Sequence, residues 1–188
     1  MDEVPQKLRE YAETAVNYVR IAVGVAPAYD SDTLPLVDHY LRGVPTDEPA
    51  TVALMVQIVG AYFGEVVRRS LGGRWDGGSG IQEDWRVILP TGLTFSPSGF
   101  VAAAIAHSDL DDFDSELDAP ARMKPYVQQA LSRMGEVPVD EYYSLCNRLD
   151  TLEHVHEVLV AVAAQMLGDG ADDAVEPVSD EPSGGVIN

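Results

Sequence analysis

Residues 52–75 read VALMVQIVGAYFGEVVRRSLGGRW, and the fold turns on how this stretch is parsed. Met55, Ile58, Val59, Tyr62, Val66 and Arg69 recur at steps of three and four, the spacing of one helix face. The first five make that face an apolar stripe suited to a core. Gly60 and Gly64 lie one turn apart and leave a smooth strip on the helix. Such a strip suits the close approach of a second element, or backbone lining a ligand cleft. Glu65 precedes Arg68 and Arg69 by three and four residues, a spacing that allows intrahelical ion pairs of roughly 0.2–0.5 kcal/mol each. Gly72 and Gly73 stop the helix.

Beyond Gly73 the period changes from helical to alternating. Arg74–Asp76 predicts a short strand, residues 77–80 (GGSG) a loop, and residues 84–89 (DWRVIL) a second strand with Trp85, Val87 and Leu89 on one side. Pro90-Thr91-Gly92 turns the chain, and Leu93-Thr94-Phe95 returns as a third strand. So small a sheet is unstable alone and must pack against helices. Ser96-Pro97 then opens a helix whose apolar side is Phe100, Val101, Ala104 and Ile105.

The segments GAYFGEVVRRSLGGRW and DWRVILPTGLTFSPSGF together resemble a family of uncharacterised bacterial proteins. In that family a helix ending in an Ala-Tyr-x-Gly-Glu-Val pattern precedes a Gly-x-Trp strand, a short hairpin and a proline-led helix. The resemblance runs from Gly60 to about Ile105, with Tyr62, Gly64, Glu65, Arg68, Gly73, Trp75, Trp85 and Pro97 as the matching positions. It implies this order of elements. The family has no established activity, so it supplies no catalytic residue.

Outward from this centre, the first helix is expected from near Val4, with Pro5 in its first turn, to the Ala26-Pro27 break. A short helix follows within Asp30–Gly43, burying Leu34, Val37 and Leu41 and leaving His39 on the surface. Thr46 or Asp47 is the expected cap of the central helix. Ala119–Met134 reads as a helix with Met123, Tyr126, Val127, Ala130 and Leu131 inward. Val139–Leu167 reads as one long helix with Tyr142, Cys146, Leu149, Leu152, His156, Leu159, Val160, Ala163 and Met166 on its broad face.

Composition narrows the function. Net charge is −19, from 31 acids and 12 bases. Twelve of the acids fall in two base-free runs, Asp109–Asp118 and Asp169–Glu181, so the rest of the chain carries only −7. With two lysines, Lys7 and Lys124, the chain is unsuited to neutralising phosphates, which argues against nucleic acid. No run of eighteen uncharged apolar residues occurs, so no membrane span is expected, and the charged start MDEVPQKLRE does not read as a signal peptide. A single cysteine, Cys146, excludes a disulfide framework and points to a cytoplasm.

Candidate chemistry is sparse. Glu153 and His156 have the three-residue spacing used in di-metal helical bundles, but the second Glu-x-x-His that such a site requires is missing from the chain. His154 and His156 diverge around the helix and read as seam residues. The acidic run at 109–118 lacks the glycine and the bidentate glutamate of a calcium loop, and reads as a flexible connector. The 77–80 glycines lack the Lys-Ser/Thr of a phosphate loop. Cys146 reads as an inert core thiol, and Ser98 lacks a nucleophile elbow. Tyr62, Glu65 and Arg68, against Trp75 and Trp85, could floor a polar cleft or an interaction surface; the alternative is a structural pair tying helix to sheet.

The sequence therefore predicts one α+β, mainly helical domain over 1–167, with five or six helices around a small antiparallel hairpin sheet at about 73–95. It predicts an acidic loop at 108–118 and a disordered acidic tail over 168–188. The expected function is non-enzymatic protein interaction, regulatory or accessory and immunity-like, with a basic protein as partner and no cofactor or metal. The rival is a small-molecule binder or hydrolase with a cleft near Tyr62, Glu65 and Arg68. A nucleic-acid mimic would need the acids ordered on the folded body. The oligomeric state is left open.

Overall fold

The central helix is apolar on nearly every side, and the fold encloses it. The computed structural model describes residues 4–77 and 85–172, with side chains as far as Leu167. In chain order these form α1 (Gln6–Val23), a 3₁₀ turn (Ser31–Thr33), α2 (Leu34–Leu41), α3 (Pro49–Leu71), β1 (Arg74–Asp76), β2 (Arg86–Ile88) and β3 (Thr94–Phe95). Then come α4 (Pro97–Ala106), α5 (Lys124–Arg133), α6 (Val139–Tyr142) and α7 (Leu145–Asp172). The chain is α+β and mainly helical, as the sequence predicts.

All five apolar stripe residues of α3 are buried, and so are Val56, Ala61, Phe63 and Val67 on its other sides. A helix apolar all round belongs inside a protein or a membrane. By length and composition α3 could cross a bilayer, yet 67% of its most apolar stretch is buried within this fold, as in a core helix. α1 and α4 pack along it. The glycine strip receives the start of α4: a Cβ on Gly60 would lie 2.8 Å from Ser98 Oγ and 3.1 Å from its Cα. One turn on, a Cβ on Gly64 would overlap the Trp75 ring and stand 3.1 Å from Pro97 Cγ. The strip is thus a packing surface and not a cleft wall.

The sheet is antiparallel in the order β1-β2-β3, with Trp75 opposite Val87 and Val87 opposite Phe95. Gly92, at φ 83°, makes the turn into β3, and the Leu89 N–H donates to the Leu93 carbonyl at 2.8 Å. Phe95 stacks on Phe100 at 5.2 Å between ring centroids, and Phe63 closes the trio at 6.2 and 6.3 Å. One aromatic cluster therefore joins sheet, α3 and α4. Most of the loop expected at 77–80 lies outside the described residues.

Several boundaries differ from expectation. The central helix begins at Pro49 behind Glu48, so neither Thr46 nor Asp47 caps it. α1 closes at Gly24, before Ala26-Pro27. α5 starts at Lys124, with Pro125 in its first turn, and residues 121–123 form a turn before it; Leu131 is 39% exposed where it was expected inward. The predicted last helix is two, because Ser144 Oγ accepts the Asn147 N–H at 3.1 Å and starts α7 afresh. That restart rotates the buried face to Leu145, Leu149, Leu152, Val155 and Leu159, leaving Tyr142, Val160 and Met166 exposed. Seven helices result among the described residues. α7 runs five residues past the predicted domain end at Leu167, and 173–188 lie outside the described residues.

The acidic segment is a loop, but a tethered one. The backbones of Thr94 and Asp118 exchange hydrogen bonds at 2.7 and 2.8 Å, extending the sheet by one residue beyond β3. Arg86 pairs with Asp114, Asp109 accepts the Ser115 hydroxyl at 2.7 Å, and the Tyr143 hydroxyl reaches Asp109 at 3.4 Å. The Asp114 carbonyl sits so close over Gly99 that any Cβ there would collide with it.

Candidate functional site

The Glu65 side chain is 3% exposed, and its carboxylate is surrounded by donors. Arg68 gives Nε to Oε1 at 2.7 Å and Nη2 to Oε2 at 3.1 Å; Trp75 Nε1 donates to Oε1 at 2.7 Å, and Arg69 Nε to Oε2 at 3.3 Å. Burial alone would raise the pKa of Glu65, but the hydrogen bonds from Arg68 and Trp75, with the charges of Arg68 and Arg69, outweigh it and hold the pKa below the ordinary value. Such a carboxylate is a weak base. Its geometry is that of a joint between α3 and β1.

Arg69 extends this joint, with its guanidinium 4.0 Å over the Tyr29 ring, and Tyr29 lies 5.3 Å from Tyr62. The Tyr62 hydroxyl donates to the Ala28 carbonyl, and burial pushes it up to about 12, so it stays protonated. Tyr62 thus pins the segment between α1 and α2. Trp85 is half-buried, and its ring lies over Gly77, where it would block a Cβ. The structure therefore brings Glu65, Arg68 and Trp75 into direct contact, connects Tyr62 to them through Tyr29 and Arg69, and sets Trp85 against the end of β1.

Of the remaining candidates, His154 has its Nε2 buried with no hydrogen-bond partner among the described residues, and the others have structural surroundings. His156 Nδ1 lies 3.0 Å from Thr91 Oγ1, at the seam of α7 and the hairpin turn, and burial lowers its pKa. Glu153 accepts the Ser70 hydroxyl at 3.3 Å. Burial, reinforced by Asp38, pushes the Cys146 thiol up to about 12, which keeps it protonated and unreactive.

A larger feature lies elsewhere. The restart at Ser144 turns the chain so that Tyr142 and Tyr143 fold back over Arg148, in the first turn of α7. Asn147 Nδ2 fixes this fold by donating to the Tyr142 carbonyl at 2.9 Å. The Arg148 guanidinium sits 4.7 Å from Phe100, 5.2 Å from Tyr142 and 5.5 Å from Tyr143, measured to ring centroids. Burial lowers its pKa, while Tyr142, Asp109 and Tyr143 pull the other way. Its Nε is buried with no hydrogen-bond partner among the described residues.

Phe100 and Arg148 help line a cavity of about 970 Å³ between the acidic loop, the end of α5 and the start of α7. Its apolar lining includes Phe113 and Leu117 from the loop, Leu131 from α5, and Met134 and Val137 just past the end of that helix. Asp109, Asp111, Asp114, Glu116 and Glu136 line it too. Among the described residues no three acids, histidines or cysteines converge closely enough to hold a metal ion. The arrangement is an apolar hollow ringed by separate carboxylates. Sequence reading assigned its loop residues, Phe113 and Leu117 among them, to a connector, and Phe100 and Leu131 to the core. The available signal was Ser144, a cap residue inside an apparently continuous helical pattern. No protein family, curated protein or solved structure matches the chain.

Proposed function

We propose that the chain is a non-enzymatic interaction protein, a cytoplasmic regulatory or accessory factor of the immunity-like kind, that binds another protein through the acid-ringed hollow beside α5. The observation that carries this reading is the composition of that hollow. Phe113 and Leu131 are 36% and 39% exposed within it, and apolar side chains gathered in a concavity gain most when a partner covers them. The surrounding carboxylates select for a basic partner and speed its approach. The rival cleft near Tyr62, Glu65 and Arg68 is weakened as a site by the saturation of Glu65 with its own donors.

The test is affinity capture from native cell extract at low and high salt, using the full chain and an Asp111→Asn/Glu116→Gln/Glu136→Gln variant. A stoichiometric basic partner that is released by salt and missed by the variant supports the reading. An empty capture at both salts would move the assignment to a small-molecule ligand.

A further inference from the structure

The 970 Å³ cavity has a neighbour of about 490 Å³, and Asp114, Glu116, Leu117 and Leu131 line both. The two share these four residues as a common wall and together border α5 from Lys124 to just past its end at Met134, a furrow beside the helix. At 1.5 Å per residue, the ten residues of α5 make that wall about 15 Å long. Gln128 and Leu131 lie three apart on it, in a row of the kind against which a second helix packs, and Met134 continues the lining just past its end.

Charge chooses between occupants. The two bases nearest the smaller cavity are engaged: Arg86 with Asp114, and Lys124 with Asp118 at 2.9 Å. Asp111, Glu116 and Glu136 make no ion pair among the described residues. Arg148 lies among aromatic rings, so the positive charge sits with the apolar lining and the unpaired negative charges belong to exposed residues. An incoming cation is thereby favoured at the carboxylates, and the apolar lining is left to uncharged side chains.

We propose that the furrow receives a short basic amphipathic helix of a partner protein. Its apolar stripe covers Phe113, Leu131 and Met134, and its lysines or arginines meet Asp111, Glu116 and Glu136. This rests on the interaction reading above and adds the chemistry of the bound segment.

The test uses the full chain and three dye-labelled synthetic peptides of about 14 residues, long enough as helices to span the furrow. One has leucines along a single helix face and lysines elsewhere, the second has the same composition scrambled, and the third has glutamate for lysine. Fluorescence anisotropy should show that the first binds and the others bind at least roughly tenfold more weakly. The Asp111→Asn/Glu116→Gln/Glu136→Gln variant and Leu131→Gln should each weaken the first peptide. Equal binding of the scrambled peptide, equal binding of the glutamate peptide, indifference to both variants, or no binding at all would each overturn the proposal. A captured partner that ignores the carboxylate variant would sink the furrow, and the hollow as the binding site with it, and spare only the reading of a protein-binding chain. Peptide binding without any captured partner would do the reverse.

Discussion

The Asp38 carboxylate on α2 accepts the backbone N–H of Leu145 at 2.7 Å, and its second oxygen accepts that of Cys146 at 3.1 Å. A helix start leaves such N–H groups without intrahelical acceptors, and here a residue 107 positions away supplies them. The negative charge also complements the positive end of α7. Asp38 is 7% exposed, so the groups it satisfies cannot turn to water instead. Asp38→Ala should cost about 1–3 kcal/mol, and Asp38→Asn, which keeps an acceptor, less. Urea unfolding midpoints of the two variants give the comparison; equal loss would mean that charge alone matters.

Glu65 makes stability depend on pH with a definite sign. Its folded pKa lies below its ordinary value, so the ionised form stabilises the fold fully above that ordinary value of 4.5. The contribution fades as pH falls through the lower, folded pKa. Glu65→Gln should therefore destabilise the protein by about 1–3 kcal/mol near neutrality, and the gap to the native chain should shrink below pH 4. Thermal melts of both proteins between pH 3 and pH 7, a range bracketing the ordinary carboxylate value, check this. A gap that stays constant across that range would show that the side chain acts by shape alone.

Gly64→Ala places a methyl where the Trp75 indole already lies. The ring must leave its seat and lose its hydrogen bond to Glu65. A loss of about 1–3 kcal/mol should follow, with a red shift in tryptophan emission as the indole meets water. Unchanged emission would mean that β1 shifts as a body and carries the indole with it.

Arg148 is a partly buried cation with an unsatisfied nitrogen, and such groups are costly to keep. Arg148→Met, which retains the packing against Phe100, should be neutral or stabilising by about 1 kcal/mol. Arg148→Ala should be destabilising by about 1–2 kcal/mol, because the stem of the side chain is lost from the aromatic cluster. Differential scanning calorimetry separates the two, and a large loss in the Met variant would assign Arg148 a structural charge role.

What the sequence made legible was local. The glycine stop of α3, the Ser96-Pro97 start of α4 and the Pro90-Thr91-Gly92 turn each depend on chemistry within four residues, and all stand where they were read. Glu65 and Arg68 were legible as a pair for the same reason, whereas the indole that completes their joint arrives from β1. Asp38 was invisible as a cap, because its partners lie on another helix far along the chain. The furrow was invisible too. Leu131 looks like core in a helical pattern, and only the placement of the acidic loop reveals that nothing in the described chain covers it fully.

The single backbone bridge between Thr94 and Asp118 bears on how the molecule avoids itself. The outer side of a terminal strand is a template on which another copy can add, the first step towards fibres. Here Asp118 occupies that side of β3, with a carboxylate that stays charged because Lys124 and the Ala119 N–H hold its pKa down. At the far side β1 carries Arg74 and Asp76, both exposed. The protein can thus hold an apolar furrow open beside its sheet without also offering that sheet for extension. Neutralising Asp118 should show its effect less in folding than in shelf life, as slow self-association of a still native chain.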